Sequence, residues 1–248
     1  MFQQSSMNHS GIETISGIVN LYKPPAQSSA RYVYRLRRIF GLRKVGHAGT
    51  LDPFADGVLL GCVGRGTKLV ESLMGLSKRY RTTLRLGVTN RTYDTEQPFE
   101  PVPGIKPPSQ QQLADTVAQF IGDIDQVPPE YSAVKINGVP SYRLAQKGQP
   151  VTKPPKKVRV DHVEILNYEW PALALEVRCG RGTYIRALAR DLGKALECGA
   201  CCEALTRTAV GPFRLEDSVN LEIASPESVR SALMDLAEAQ RRITSTNV

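Results

Sequence analysis

Apolar residues in the segment 28–40 recur at three- and four-residue steps, which is the spacing of one face of an α-helix. The segment reads SSARYVYRLRRIF, and Ser28 precedes the first turn in the manner of an N-cap. The positions that share this spacing are Ala30, Val33, Tyr34, Arg37 and Phe40. The pattern predicts a short helix that carries arginines on its wetter side.

Three more segments carry helical spacing. Ser109 begins SQQQ, a capping box, ahead of the apolar positions Leu113, Val117, Phe120 and Ile121. Thr183 is placed to cap a helix whose apolar positions are Ile185, Leu188, Ala189, Leu192, Ala195 and Leu196. Ser225 and Pro226 open a last predicted helix through Val229, Leu233, Leu236 and Ala237.

Alternation of apolar and polar residues predicts strands elsewhere. In residues 80–88 the apolar positions are Tyr80, Leu84, Leu86 and Val88, and they alternate with Arg81, Thr83 and Arg85. Residues 157–168 and 172–179 read as two adjacent strands, whereas the proline-rich residues 98–108 read as a loop. Because helices interrupt the strands in irregular order, we predict an α+β fold with a mixed sheet and not a doubly wound parallel one.

Length and polarity set the expected domain organisation. The chain has 248 residues, 41% of them hydrophobic, which is enough for one large domain or two small ones. Residues 1–15 are polar and predict a disordered tail. We expect one domain over residues 16–222, followed by a short helical extension over residues 223–248.

Charge indicates the kind of partner. Thirty-two Lys and Arg against twenty-four Asp and Glu give a formal net charge of +8 and a pI near 9.3. That excess favours a polyanionic partner, nucleic acid first. The alternative is a solvated basic surface without a partner.

Several function classes receive no support from the sequence. No apolar run approaches the roughly 18 residues of a membrane span, and the polar first residues do not resemble a secretion signal. The five cysteines are odd in number and unevenly placed, which predicts a reducing, cytoplasmic location. Residues 198–202, CGACC, resemble half of a zinc site, but they lack a second pair at finger-like spacing. We therefore expect no metal.

Asp52 stands out because it ends a strongly basic run. No acidic residue lies between Glu13 and Asp52, while seven lysines and arginines do. The surrounding stretch GHAGTLDPFADG supplies glycines at 46, 49 and 57 and a proline at 53, which suit a tight loop that presents a side chain into a cleft. A carboxylate kept charged by nearby cations can act as a nucleophile or an electrostatic stabiliser. The alternative is a turn aspartate bonded to its own backbone.

Two further stretches carry candidate site residues. In GRGTYIRALARDLG, Arg186 is suited to a bidentate pair with a carboxylate, and Tyr184 to stacking on a base or sugar. In SKRYRTTLRLG, Tyr80 lies among cations, a combination that suits stacking with phosphate contact. The alternatives are ordinary surface arginines at a helix start and a tyrosine packed in the core.

Taken together and in order, these stretches resemble TruB-type tRNA pseudouridine-55 synthases. The matching segments are GIVNLYKPP (17–25), GHAGTLDPFADGVLLGCVGRGTK (46–68), KRYRTTLRLG (78–87), PPEYSAVKINGVPSY (128–142) and GRGTYIRALARDLG (180–193). The resemblance covers roughly residues 17–222. The combination of the aspartate loop with the tyrosine strand and the G-T-Y-I-R turn is highly specific.

The resemblance implies a role for each matching position. Asp52 matches the catalytic aspartate, Tyr80 the tyrosine that stacks on the target base and is a candidate proton acceptor, and Arg186 the arginine that pairs with the aspartate. Among the positions implied to bind substrate, Tyr184 and Leu205 line the pocket around the flipped nucleotide. His47 takes up the space that the uridine leaves in the RNA stack when it swings out. The basic Lys23 and Lys68 match structural or phosphate-contacting positions.

The resemblance also implies a fold and a substrate. It implies a pseudouridine synthase fold, with a mixed, mainly antiparallel central sheet flanked by helices and a thumb-like RNA-binding insertion. It implies isomerisation of the T-loop uridine without metal or cofactor, by a monomer acting on the T-arm of tRNA. Many relatives carry a C-terminal PUA-type domain, for which the residues after Glu222 are too few.

This chain departs from the family pattern at several positions. It carries Asn90 and Gln97 near the retained Thr92 and Asp94, Gln146 where the family has an arginine, and Cys201 where a histidine is common. Two other readings fit the same scaffold: a non-catalytic RNA-binding or tRNA-folding module, and a pseudouridine synthase for another RNA.

Overall fold

The computed structural model describes residues 15–245, apart from 133–134, 137, 142–143, 145–147 and 149–152. The predicted tail and Gln146 therefore fall outside the described residues, except for Ile15 at the end of the tail.

One ten-stranded sheet organises the fold, with strand order β14-β1-β3-β12-β4-β11-β10-β7, and with β13 paired to β12 and β2 paired to β3. Most neighbours are antiparallel, but β1 pairs in parallel with β14, and β3 with β12. The predicted mixed, mainly antiparallel sheet is confirmed.

The strands of the main sheet are β1 (Gly17–Lys23), β2 (Val45–Ala48), β3 (Asp56–Val63), β4 (Lys78–Leu86), β7 (Gly122–Gln126), β10 (Lys156–Glu169), β11 (Ala172–Cys179), β12 (Ala200–Val210), β13 (Phe213–Arg214) and β14 (Val219–Asn220). Two short pairs lie outside it, β5 (Val88–Thr89) with β6 (Glu100–Pro101), and β8 (Lys135–Ile136) with β9 (Val139–Pro140). The β8–β9 hairpin leaves the main sheet between β7 and β10, which fits the expected insertion.

Helices cover parts of the sheet. They are α1 (Ser29–Phe40), α2 (Val70–Gly75), α3 (Gln110–Ala118), α4 (Ile185–Ala195), α5 (Pro226–Ser231) and α6 (Leu236–Ser245), with a 3-10 helix at Gly64–Leu69. None of the helices in the described part of the chain is long and apolar enough to span a membrane.

Capping explains where several helices begin. The Ser28 side chain accepts from the Arg31 amide at α1, and Ser109 and Gln112 form the predicted capping box at α3. Thr183 was wrongly predicted as the cap of α4. Its hydroxyl instead bonds the carbonyl of Gly180, and the N-cap position falls on Tyr184.

Two other helix predictions are corrected. The predicted last helix is two helices, α5 and α6, with residues 232–235 between them. The buried face of α1 consists of Ser29, Tyr32, Leu36 and Phe40, while Tyr34 is 60% exposed. Leu36 packs so closely on β3 that a Cβ at Gly61 would lie 2.4 Å from its Cδ1. That contact sets the rotation of the helix.

The strand predictions are confirmed with small shifts. β4 begins at Lys78 and alternates buried and exposed residues as expected, while β10 and β11 pair along their length. Gly87 ends β4 because its φ of +81° is a left-handed conformation that favours glycine. The largest apolar cluster lies where β4, β11 and α4 pack together, and it includes Leu84, Leu175 and Leu188. This packed platform carries the candidate site.

Candidate active site

The loop between β2 and β3 carries Asp52. Gly49 and Gly57 have φ values of +88° and +110°, so both glycines serve the tight path that the sequence predicted. A Cβ at Gly57 would lie 2.3 Å from the carbonyl oxygen of Arg207, so the loop end also packs directly on β12. Gly46, by contrast, lies within β2.

Arg186 holds the carboxylate of Asp52 in a bidentate pair. Its Nε lies 2.8 Å from Oδ2 and its Nη2 lies 3.1 Å from Oδ1. The Asp52 side chain is 30% exposed, whereas that of Arg186 is 3% exposed. The fork fixes one orientation of the carboxylate and places a positive charge against it. The recorded contacts of this carboxylate therefore go to Arg186, as the sequence suggested, and not to its own turn.

Arg186 is itself fixed by groups beyond Asp52. It donates to the carbonyl oxygens of Thr92 at 3.0 Å and Tyr131 at 2.8 Å. Its Nη1 also lies 3.2 Å from Oδ2 of Asp94, a fully buried carboxylate. Five N–H donors in a planar fork allow one arginine to serve all these acceptors.

Asp94 is the second acid of this cluster. Its Oδ2 faces Arg186 outside hydrogen-bonding geometry, and its Oδ1 accepts from the amide of Glu96 at 2.9 Å. Burial raises the pKa of Asp94, while hydrogen bonding from Thr92 and the charge of Arg186 act in the opposite direction. The charged form therefore depends on Arg186 staying in place.

A cavity of about 320 Å³ opens beside Asp52. That volume lies within the range of small-ligand pockets. Its walls combine the aspartate loop, the starts of β4 and α4, and the end of β12; they include Gly49, Thr50, Leu51, Asp52, Met74, Lys78, Tyr80, Ser132, Arg181, Tyr184, Leu205 and Arg207. The structure thus brings together four of the predicted site residues, Asp52, Tyr80, Tyr184 and Leu205, with Arg186 behind Asp52.

Tyr80 and Arg207 form one wall of the cavity. They are directly opposite each other in the pairing of β4 with β12. Burial raises the pKa of Tyr80, and the charge of Arg207 together with its hydrogen bond to the phenol acts against that rise. Tyr80 thus presents a neutral phenol beside a fixed cation.

Arg207 is a site residue that the sequence analysis missed. It is 2% exposed and donates to the carbonyls of Val58 at 2.8 Å, Gly49 at 3.1 Å and Thr50 at 3.3 Å. It therefore fixes both ends of the Asp52 loop. The available signal was strand alternation, which puts Arg207 on the same side of β12 as the buried Leu205.

Tyr184 is held in place by a side-chain amide. Gln126 accepts from the Tyr184 backbone amide at 2.8 Å and donates to its carbonyl at 3.1 Å. The ring lines the cavity, and burial raises the pKa of its hydroxyl. The Gln126 contact fixes the start of α4, two residues before Arg186.

Three predicted substrate-binding residues lie outside the cavity wall. His47 is half-buried on β2; burial, followed by the charge of Arg207, lowers its pKa. Lys68 is exposed on the 3-10 helix. Lys23 is fully buried under the aspartate loop, where its ammonium group donates to backbone carbonyls.

Lys23 supports the loop from below. Its Nζ lies 2.6 Å from the carbonyl oxygen of Ala55, 2.9 Å from those of Pro24 and Gln27, and 3.3 Å from that of Pro53. Burial lowers the pKa of Lys23 to about 8. Lys23 therefore joins the end of β1 to the residues that follow Asp52.

We expect Lys23→Met to lower the free energy of unfolding by about 2–4 kcal/mol, because buried carbonyls lose their donor. Between pH 8 and pH 10 the folded chain releases the Lys23 proton, whereas the unfolded chain keeps it, so this lysine contributes more stability as pH rises. The deficit of the variant should therefore grow by about 2 kcal/mol from pH 7 to pH 9.5. Urea unfolding of both proteins at both pH values measures it, and a constant or shrinking deficit would contradict the linkage.

The cysteines show no arrangement suited to metal binding. All five are free and buried, and burial raises the pKa of each thiol. Within the described ranges, no cluster of three or more histidine, cysteine or acidic side chains has a geometry that could hold an ion. Cys202 instead contacts the hydroxyl of Thr82 at 3.1 Å.

Comparisons with known proteins identify the family of the chain. Residues 37–185 match the TruB family pseudouridylate synthase N-terminal domain, and residues 186–237 match the tRNA pseudouridylate synthase B C-terminal domain. The tRNA pseudouridine synthase B of Syntrophotalea carbinolica is 40% identical over 237 residues, which is 94% of this chain and 78% of the relative. That of Caldanaerobacter subterraneus is 43% identical over 213 residues, with 84% and 74% covered.

A solved structure shares the fold. A chain in the crystal structure of a Cbf5-Nop10-Gar1 complex superposes with a TM-score of 0.69 at 27% identity, over 91% of this chain and 62% of that one. The fold and the site thus define a pseudouridine synthase, an isomerase. Within that class, the chain belongs to the TruB family of pseudouridylate synthases.

Proposed function

We propose that this enzyme converts a uridine of tRNA to pseudouridine, and that its target is the uridine at position 55 in the T-loop. The observation that carries the proposal is the Asp52 carboxylate, clamped by Arg186 at the wall of a cavity that Tyr80 and Tyr184 also line. The tRNA substrate follows the names of the curated relatives. The T-loop target follows the sequence resemblance.

The reaction is an isomerisation with a simple balance. The N1–C1′ bond breaks, the uracil turns within the pocket, and a C5–C1′ bond forms. The proton leaves C5, and N1 gains one. Because atoms and electrons balance without an oxidant, reductant or water, one carboxylate beside the ribose and base is sufficient. A second carboxylate would activate water, which would cleave the glycosidic bond and release uracil. A site with a single exposed acid therefore suits isomerisation.

The cavity residues divide the work. Asp52 attacks the base or the sugar, or stabilises the positive charge that develops on the sugar, and Arg186 holds its carboxylate in one orientation. Tyr80 stacks on the flipped base and is the candidate acceptor of the C5 proton, a role in which its phenol must first give up its own proton, because burial keeps it neutral. Tyr184 and Leu205 enclose the base. Flipping the nucleotide costs a few kcal/mol of unstacking. Lys23 acts by supporting the loop.

RNA recognition follows from the charge. The excess of basic residues supplies phosphate contacts, which dominate affinity for nucleic acid. We place the enzyme in the cytoplasm, where tRNA substrate is available, acting as a monomer on the T-arm. The rival function is a non-catalytic RNA-binding or tRNA-folding module, and the retained Asp52 counts against it because a carboxylate in an RNA cleft lowers affinity.

The test is tritium release from a full tRNA transcript labelled at uridine C5. We expect release with the intact transcript and none when the T-loop target is changed to cytidine. Tritium release that persists after this change would support pseudouridine synthase activity but contradict the T-loop target. No release from a folded enzyme that still binds the transcript would favour the binding module.

A further inference from the structure

A second groove lies on the opposite face of the sheet from the catalytic cavity. It has a volume of about 310 Å³ and is lined by five cations, Lys78, Arg79, Arg81, Arg178 and Arg214. Two carboxylates, Glu176 and Glu216, also line it. The groove is therefore positive, and the proposed reaction leaves its cations without a role.

Strand register aligns three of these arginines in a row. Arg79 on β4 lies directly opposite Arg178 on β11 and, on its other side, opposite Ala209 on β12. Ala209 in turn lies opposite Arg214 on β13. Neighbouring strands are about 4.8 Å apart, so the backbone positions of Arg178 and Arg214 lie about 5 Å and about 10 Å from that of Arg79 across one sheet face.

Two of these arginines face each other at an energetic cost. Like charges directly opposite in a sheet are destabilising. Glu176 contacts Arg81 at 3.2 Å and Arg79 at 3.8 Å, and Glu216 contacts Arg214 at 3.5 Å. Arg178 is exposed and makes no ion pair in the part of the chain that the structure describes. An anion placed between Arg79 and Arg178 would relieve the repulsion.

The groove adjoins the catalytic cavity at the end of the sheet. Lys78 lines both spaces. On β4, Arg79 lines the groove and the next residue, Tyr80, lines the cavity. On β12, Thr208 lines the groove and the preceding residue, Arg207, lines the cavity. A polyanion that leaves the cavity over the start of β4 therefore reaches the row of arginines, which lies one or two residues away along β4 and β12.

We propose that this groove binds the phosphodiester backbone of the same RNA whose uridine occupies the catalytic cavity. The inference rests on the proposed function, because it takes the substrate to be RNA. Apolar side chains in the groove are few, Ala209 and Leu215, whereas the core of a protein interface is enriched in aromatic and other apolar groups. Exposed guanidinium groups in a row instead suit successive phosphates.

The test compares two double variants of the full chain. Arg79→Gln with Arg178→Gln removes two cations of the groove. Arg85→Gln with Arg241→Gln removes two exposed, ion-paired arginines outside it, and Arg85 lies on the same strand and face as Arg79. The probe is a full tRNA transcript, with Kd measured by filter binding between 50 and 300 mM salt and turnover by tritium release.

We expect the groove variant to raise Kd roughly tenfold at low salt and to make the slope of log K against log salt shallower by about 1.4–1.8. Its kcat/KM should fall by the same factor at unchanged kcat, with the control variant close to wild type. Its Tm should not fall, since the Arg79–Arg178 repulsion is removed.

An unchanged Kd and salt slope would overturn the proposal. A raised Kd with unchanged kcat/KM would overturn it too, since the groove would then bind the transcript in a mode that turnover does not use. If wild type binds the transcript through the groove but shows no turnover, the proposed function fails while the groove remains an RNA site. If wild type turns over but the groove variant matches the control, only the groove fails.

Discussion

Asp52→Asn is expected to lower turnover of the tRNA transcript by at least about 10³-fold, because the amide keeps the shape of the side chain but not its charge. The fold should survive, since Arg186 retains Asp94 and the carbonyls of Thr92 and Tyr131 as partners. RNA affinity should stay within about tenfold of wild type, because removing a carboxylate reduces repulsion of phosphate. Single-turnover tritium release and filter binding measure the two effects.

A matched control separates the lost charge at the site from a general effect. Asp115→Asn removes an exposed carboxylate on α3 that contacts Gln111 at 2.8 Å, far in sequence from the cavity residues. We expect it to match wild type in both assays. An Asp52→Asn enzyme with wild-type turnover would remove the catalytic assignment. Tenfold or greater loss of binding with unchanged single-turnover rate would make Asp52 a residue of RNA recognition.

The parts of the site that lie within one motif were predictable from sequence. The Asp52 loop, the Tyr80 strand and the start of α4 each have a local pattern, and the resemblance to a known family placed them in one site. The pairing of Asp52 with Arg186 spans 134 residues, so periodicity alone could suggest the partner type but not the partner. The resemblance to the family supplied the pairing of Asp52 with Arg186.

The site residues that sequence reasoning did not assign are charged groups in the interior. Arg207 was not named, and Asp94 was noted only as a position that keeps the family pattern. Arg207 and Asp94 are 2% and 0% exposed, although arginine and aspartate are rarely buried unless paired. Their burial depends on tertiary partners, the carbonyls of the aspartate loop for Arg207 and the guanidinium of Arg186 for Asp94. The rotation of α1 was missed for the same kind of reason, because it follows from the packing of Leu36 against Gly61 and not from spacing along the helix.

Arg186→Met is expected to abolish measurable turnover and to lower the free energy of unfolding by about 3–5 kcal/mol, the usual cost of leaving a buried charge without its partner. Asp94 is the reason for the stability loss, since its carboxylate is fully buried and Arg186 is its recorded ion partner. The pKa of Asp94, already raised by burial, should rise further in the variant. Urea unfolding and tritium release measure the two losses.

The stability deficit of Arg186→Met should depend on pH, and the direction follows from the raised pKa of Asp94. A carboxyl whose folded pKa lies above its unfolded value binds more protons when folded, so it stabilises the fold at low pH and ceases to do so as pH rises through the folded pKa. The stability deficit of Arg186→Met should therefore be smaller at pH 5 than at pH 7.5. A deficit that is equal at both values, or larger at pH 5, would show that Asp94 is not the source.

A double variant then separates stability from catalysis. Adding Asp94→Asn to Arg186→Met removes the buried charge, so part of the lost stability should return at pH 7.5, and the pH dependence should flatten. Turnover should not return, because the bidentate contact to Asp52 is still missing. Recovery of turnover along with stability would mean that Arg186 acts only through the fold. Recovery of stability alone makes Arg186 the residue that holds the Asp52 carboxylate for reaction.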